Sequence, residues 1–404
     1  MVDLNENNAG DVFRAGLSAD SPRPPRVDIA EAMRAGRRVR TVRRASVAGG
    51  VGLAVLVAIA VPAALAANRN SATPPPGGAT PSASATGTRP SRAALPPLAP
   101  PTSCTAENVP TPSGASTWSV TAASPDGKII YGQYIHGRDS RVWRVPKLTA
   151  PIPPDDQYVS GVNNDGLAVG FGNIDVQVTA WMLRGDQVTP LPGGVMAYAT
   201  GINAAGQVIG SRGSTGPGGH PIVWRDTAAA PADLPLPEGA YGGEALAIAD
   251  DGTVVGAVTV GLREYPYAWG PDNTGRPLAI PPGVSTSPNA GTEPGPLTLA
   301  RQVSGQWATG VAGLHLSPQP VRWNLDTGVA EVIPGLQGKA VAGNGRGWVA
   351  GVQAGGKGVL LAGDQRVVLG AGDAPVTVSE DGRTIAVNHA TGQSTTSAKI
   401  YHCT

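Results

Sequence analysis

Few residues in this chain are of a type and spacing that could do chemistry. The five histidines, His136, His220, His315, His389 and His402, are scattered, with no metal-ligand spacing among them. Asp250-Asp251-Gly252 brings two carboxylates together without the alternating oxygen ligands of a calcium loop, so turn duty is the simpler reading. No glycine-rich phosphate loop, His-Glu-x-x-His pair or Gly-x-Ser-x-Gly elbow occurs. The sequence therefore specifies no catalytic residue, metal ligand or cofactor. An enzyme on this chain would need two acids, or an acid and a histidine, brought together by the fold. The one covalent expectation concerns Cys104 and Cys403, the chain's only cysteines.

The elements that must position everything else repeat along the chain. From residue 105 a turn between two apolar runs recurs seven times, from AASPDGKIIYG to VTVSEDGRTIAV. Its glycines are Gly127, Gly166, Gly206, Gly252, Gly305, Gly345 and Gly382, spaced 39, 40, 46, 53, 40 and 37 residues apart. A second landmark follows each glycine by 15 to 19 residues: Trp143, Trp181, Trp224, Trp269 and Trp323, then Leu361 and Tyr401. A third is an apolar–proline element such as PLPGG, LPLPEG, AIPPG or VIPG. Asn or Asp before Gly is tight-hairpin chemistry, because both residues tolerate positive φ. The runs beside it have strand character, the Trp run makes a third strand, and the Leu-Pro run makes a fourth at the edge. Four strands in roughly 40 residues, seven times over, predict an all-β fold, a seven-bladed β-propeller over 104–404. Tryptophans recurring at one structural position are expected to pack between neighbouring blades rather than form sugar platforms.

Upstream, residues 45–67 carry no charge and exceed the roughly 20 apolar residues that cross a bilayer. Arg34, Arg37, Arg38, Arg40, Arg43 and Arg44 precede them, which predicts a single-pass transmembrane helix with a cytoplasmic basic arm, 1–44. The rival is a signal peptide cleaved after Ala64-Leu65-Ala66, for which a 44-residue leader is long. The arm holds nine Arg against six acids and lacks His and Cys, so a cytoplasmic partner such as a sigma factor would have to dock without a zinc site. Residues 68–103, with nine Pro and three charges, read as a disordered stalk. The propeller then lies outside a bacterial plasma membrane. A net charge of +1 gives no argument for nucleic acid.

The string PLPGGVMAYATGINAAGQVIGS resembles the extracellular HAF-type repeat, and HPIVW at His220–Trp224 occupies that family's His-Ala-Phe-x-Trp position. The other copies (YPYAW, QPVRW, QVTAW, DSRVW) depart from the tripeptide, so the resemblance rests on the Gly-Ile-Asn…Gly…Gly half. It implies a propeller-like extracellular repeat and carries no chemistry to named residues.

The last repeat ends after its third strand, while NVPTPSGA (108–115) aligns with the fourth-strand element DLPLPEGA (233–240). The N-terminal segment should therefore complete blade seven and leave no exposed edge. That closure brings Cys104 to Cys403, and a bridge over some 300 residues would contribute roughly 4–5 kcal/mol in the chain-entropy model. It also places the stalk on the Asp-Gly turn face and the longest loops, 212–219 and 284–299, on the opposite, distal face. Loops on a rigid scaffold usually carry binding. The expected function is a non-catalytic module that binds or senses an extracellular protein or glycan, with Arg212, His220, Arg263 and Glu293 as candidate ligand-face residues. The alternatives are a propeller hydrolase or lyase with acids at the channel mouth, and signalling through the cytoplasmic arm.

Overall fold

The computed structural model describes residues 95–404 except 111–114, 137–138, 146–156, 217, 262, 286–296, 315 and 393–394. The basic arm, the apolar segment 45–67 and Glu293 lie outside the described residues. The chain forms seven antiparallel sheets, the blades of a propeller, each built from strands a to d in order from the centre. The innermost strands are Ala115–Ala123, Gln157–Val162, Ala197–Ile202, Ala240–Ile248, Leu299–Ser304, Leu336–Gly343 and Asp373–Val378. Each contacts the next, and the seventh contacts the first. Blade one shows three strands among the described residues.

There is no single core. Seven buried clusters lie between neighbouring blades, the last joining Ala386, Ala398 and Ile400 of blade seven to Trp118, Val120 and Trp143 of blade one. Strands buried on both faces read as continuous apolar runs, such as Val254–Val260, rather than alternating ones.

Closure occurs at blade seven, whose sheet order runs from Asp373–Val378 outward to Cys104–Asn108 as the edge strand. Cys104 lies directly opposite Cys403, and the two form a disulfide. Across the seam the Thr102 and Ser103 N–H groups donate to the Thr404 carbonyl, and the Thr404 N–H donates back to the Ser103 carbonyl. The structure shortens the expected stalk: residues 95–103 belong to the propeller. Pro101 is buried beside Gly382, Leu98 packs on the cluster between blades six and seven, and Arg346 donates to the Pro96 carbonyl at 2.6 Å. These contacts put the N-terminal approach on the a–b turn face, because Arg346 and Gly382 belong to those turns.

Three expectations about local structure need correction. First, most a–b turns are three-residue loops, as at Gly166, Gly206 and Gly252, and two are four-residue loops, at Gly127 and Gly382; in each only the glycine takes positive φ. The Asn side chains do different work. Asn163 accepts from the N–H groups of Asp165 and Leu167 and donates to the Asn203 carbonyl of the next blade. Asn203 donates onward to Ala249, and Asn344 to Ser379, so the turns stitch blade to blade. In blade six the left-handed glycine is Gly347, not Gly345, whose N–H instead donates to Glu380 of blade seven. Gly305 sits in a two-residue hairpin, Ser304 being opposite Trp307.

Second, the tryptophans occupy two positions. Trp143 and Trp181 lie opposite Gly132 and Gly170 of strand b. Trp224, Trp269 and Trp323 stand two residues further along strand c, in register with Leu361 and Tyr401. At the outer position the indole N–H reaches the previous blade, donating to Pro192, Pro235 and Ala279 carbonyls at 2.7–2.8 Å. All five rings are buried between neighbouring blades.

Third, in blades three to five the apolar–proline element follows strand d, which is only Ala232–Asp233, Gly275–Pro277 or Ala330–Val332. Its apolar residue, Leu234, Leu278 or Ile333, is a buried anchor of the crossover to the next blade.

Because each blade packs chiefly on its neighbours, the seam decides whether the ring stays closed. Replacing Cys403 by Ser should lower unfolding stability by roughly 4–5 kcal/mol. Denaturant melts should show wild-type protein falling to the variant's midpoint once a reductant is added; equal stability of both forms without reductant would refute a structural role.

Candidate binding site in the central channel

The innermost strands carry a recurrent β-bulge. The extra residue is Thr121, Ser160, Thr200, Leu246, Arg301 or Val376 in six of the blades. Facing each bulge, strand b has a glycine in five of these six, because a neighbouring carbonyl comes too close for a side chain. A Cβ on Gly210 would lie 2.1 Å from the Tyr198 oxygen, and one on Gly256 1.9 Å from that of Glu244. A bulge re-aims its extra side chain. Ser160 and Thr200 use this to donate to the next blade, to the Ala199 and Ala245 carbonyls at 2.6 Å each.

In blade five the same slot holds Arg301, whose side chain is far too long for such a bond. Its Nε is buried with no hydrogen-bond partner. Arg301 instead acts electrostatically on Glu244 and Glu264 of blade four, on Tyr158 of blade two and on Lys339 of blade six. Residues from blades two, four, five and six thus converge on the channel. Tyr158 and Arg301 sit in the first halves of their strands, Glu244 is at the middle of Ala240–Ile248, and Glu264 is the second residue of Arg263–Trp269. Those ends belong to the face of the b–c loops and d–a crossovers, opposite the Asp-Gly turns. The b–c loop of blade three comes near the group, where the Gly216 N–H opposes the rise of the Glu244 carboxyl.

Burial sets the charge of the site. It pushes the Glu244 carboxyl up, against the pull of Arg301 and of the Gly216 N–H. It raises Glu264 to about 7, with the nearby Glu244 adding to the rise and Arg301 opposing it. Burial also raises the Tyr158 hydroxyl and lowers Lys339, which Arg301 lowers further. Two carboxyls inclined to keep their protons beside two cations leave the site tending positive near neutral pH.

The residues singled out from sequence lie near this mouth, though not in it. Arg212 and His220 are cross-strand partners at the b–c end of blade three, and Arg212 pairs with Asp233 at 3.2 Å. Arg263 is exposed, next to Glu264. Glu293 is outside the described residues. Asp250 and Asp251 accept backbone N–H groups of Ala204 and Thr253, so both serve turns. Sequence reasoning missed Tyr158, Glu244, Glu264, Arg301 and Lys339.

It also missed a polar cluster in blade seven. Fully buried Asp373 accepts from Tyr401 at 2.5 Å and Lys399 at 3.2 Å, and lies 2.6 Å from His389 Nδ1. These contacts satisfy the carboxylate between blades six and seven, where Gly370 leaves room for it. On the opposite face a cleft of about 410 Å³ lies between blades two and three, lined by Asp165, Arg184, Arg225 and Asp226 among others.

The distal face is also apolar. Of ten exposed large hydrophobic residues, Ile135, Val176, Val195, Met196, Tyr241, Val260 and Leu316 lie at b–c loops or d–a crossovers. Val176 and Met196 have positive φ, at 62° and 58°, a strained choice for such side chains that neighbouring structure must enforce.

No family model matches the chain, and no curated protein matches it. Among solved structures, an oligogalacturonate lyase from Vibrio parahaemolyticus is similar at 10% identity and TM-score 0.47, over 74% of this chain and 97% of that one. The Dos1 propeller is similar at 11% identity and TM-score 0.41, over 70% and 77%. TolB from Acinetobacter baumannii gives 12% identity and TM-score 0.39, and the chain spans about half of its length, 52%. Likenesses this distant say nothing about the site.

The raised Glu264 carboxyl has a consequence for stability. Its folded pKa of about 7 exceeds the ordinary 4.5, so its penalty is absent below the unfolded value, grows as pH rises from there to the folded one, and is constant above it. Glu264→Gln removes that penalty. Melts from pH 5 to pH 8 should show the variant gaining on wild type as pH rises, and parallel curves would contradict the buried acid.

Proposed function

We propose that this chain is a membrane-anchored, extracytoplasmic propeller that binds or senses a protein or glycan through its distal face, without catalysis. The observation that carries the reading is the coincidence, on one face, of the polar channel cluster around Arg301 and most of the exposed apolar side chains. Exposed apolar groups rimming a polar centre are the composition of a recognition surface. The anchor and its orientation rest on the uncharged segment 45–67 and the arginines before it. The approach of residues 95–103 along the turn face supports a geometry in which the distal face points away from the membrane. The HAF-type resemblance belongs with this reading, and so does a cytoplasmic partner for residues 1–44.

One observation favours a second reading, a hydrolase or lyase. Glu244 on the innermost strand acts on Glu264 of the third strand of the same blade, and a carboxyl with a pKa of about 7 suits a general acid. A turnover assay on any ligand found separates the two, since an enzyme should lose activity on Glu264→Gln while a binding module has none to lose.

The binding reading is tested with the full chain on glycan and protein arrays. Val176→Gly suits the positive φ and should stabilise the fold by about 1 kcal/mol while removing an exposed anchor. Weaker capture by a more stable protein is the expected outcome. Unchanged capture by this variant and by a deletion of 285–296 would place binding elsewhere.

A further inference from the structure

We infer that the channel site takes a small carboxylate-bearing ligand, held on the guanidinium of Arg301; this rests on the binding function proposed above. Among the described residues Arg301 makes no ion pair, and its Nε is buried and unbonded. A buried donor left unsatisfied is costly, and a charged one more so. Glu244 and Glu264, the two carboxyls that act on Arg301, do not discharge that cost, because neither forms an ion pair with it and burial favours their neutral forms.

The slot explains why this arginine is left without a structural bond. Ser160 and Thr200 satisfy the equivalent bulge by bonding to the next blade. Arg301 cannot, while its neighbour Gln302 takes over the stitching, donating to the Val376 carbonyl at 2.9 Å and accepting from Gly343 N–H at 2.8 Å. The guanidinium is thereby freed from structural duty.

A carboxylate fits what remains. Its two oxygens match the planar fork of a guanidinium, which also distinguishes it from a point cation. Lys339 adds positive charge from blade six. A protonated Glu264, and Glu244 beside it, can each donate one hydrogen bond to an anion where an ionised carboxylate would repel it. Tyr158, with its hydroxyl held protonated by burial, is a further donor from blade two. A cationic ligand would meet Arg301 and Lys339 first.

Affinity for a carboxylate should then fall as pH rises through about 7, when Glu264 ionises. The test is calorimetric titration of the full chain with D-glucuronate, its neutral methyl ester, acetate and D-glucosamine at pH 6 and pH 8. Glucuronate should bind at pH 6, the ester should not, and acetate should compete. Arg301→Gln should weaken glucuronate at least about tenfold, with Arg301→Lys intermediate because it keeps charge and loses the fork. Glu264→Gln should retain affinity at pH 8 and flatten the pH dependence, a readout that a merely folded scaffold does not move. Equal binding of acid and ester, preference for glucosamine with affinity rising with pH, or no response to glucuronate or acetate at pH 6 each overturns the inference. If the arrays still yield a ligand in those cases, the binding function stands; a blank array removes that as well.

Discussion

Ring closure is the constraint on which this structure depends. A stack of blades with seven interfaces and no common core gains its last interface only when the final sheet reaches the first. The chain meets that requirement with its own ends: Cys104–Asn108 lies along Thr396–Cys403, and Ala386, Ala398 and Ile400 close on Trp118 and Trp143. Most other devices are repeated nearest-neighbour contacts. The Asn side chains link turns, the indole N–H groups of three tryptophans link each blade to the crossover before it, and the bulge hydroxyls link innermost strands. Each is a small term, and the circle makes them cumulative.

Much of this architecture was legible in the sequence, because propeller blades are built from local signals. A glycine at positive φ and an apolar run of strand length are dictated by a few consecutive residues, so the repeat count and the closing segment could be read directly. What failed was register. The interval from turn glycine to tryptophan varies by a few residues, and that slack hides a two-residue shift between Trp143 or Trp181 and the other three. Asn344-Gly345-Arg346-Gly347 offers two glycines, and only the backbone bond from Gly347 to Asn344 shows which one turns the chain.

The channel site was illegible for a different reason. Arg301 occurs in ARQVS, where nothing local distinguishes it from a solvated arginine. Its significance comes from a bulge shared with Ser160 and Thr200, and from the approach of blades two, four and six, which no spacing encodes. Glu264 adjoins Arg263, the residue that sequence position on a loop singled out; the more buried of the two neighbours is the one with altered chemistry. Closeness to a loop points to the right face of a propeller. It does not select the side chain.

The seam has a mechanical meaning as well. Residues 95–103 enter beside the edge strand of blade seven, so any tension on the chain upstream of residue 104 is delivered to Cys104. An edge strand pulled from one end separates one hydrogen bond at a time, the weakest way to load a sheet. With Cys104 bonded to Cys403 of the adjacent strand, the load passes through a covalent bond into the interior of the blade before any backbone pair is strained. A ring with this clamp resists unravelling from residue 104 when the chain before it is pulled.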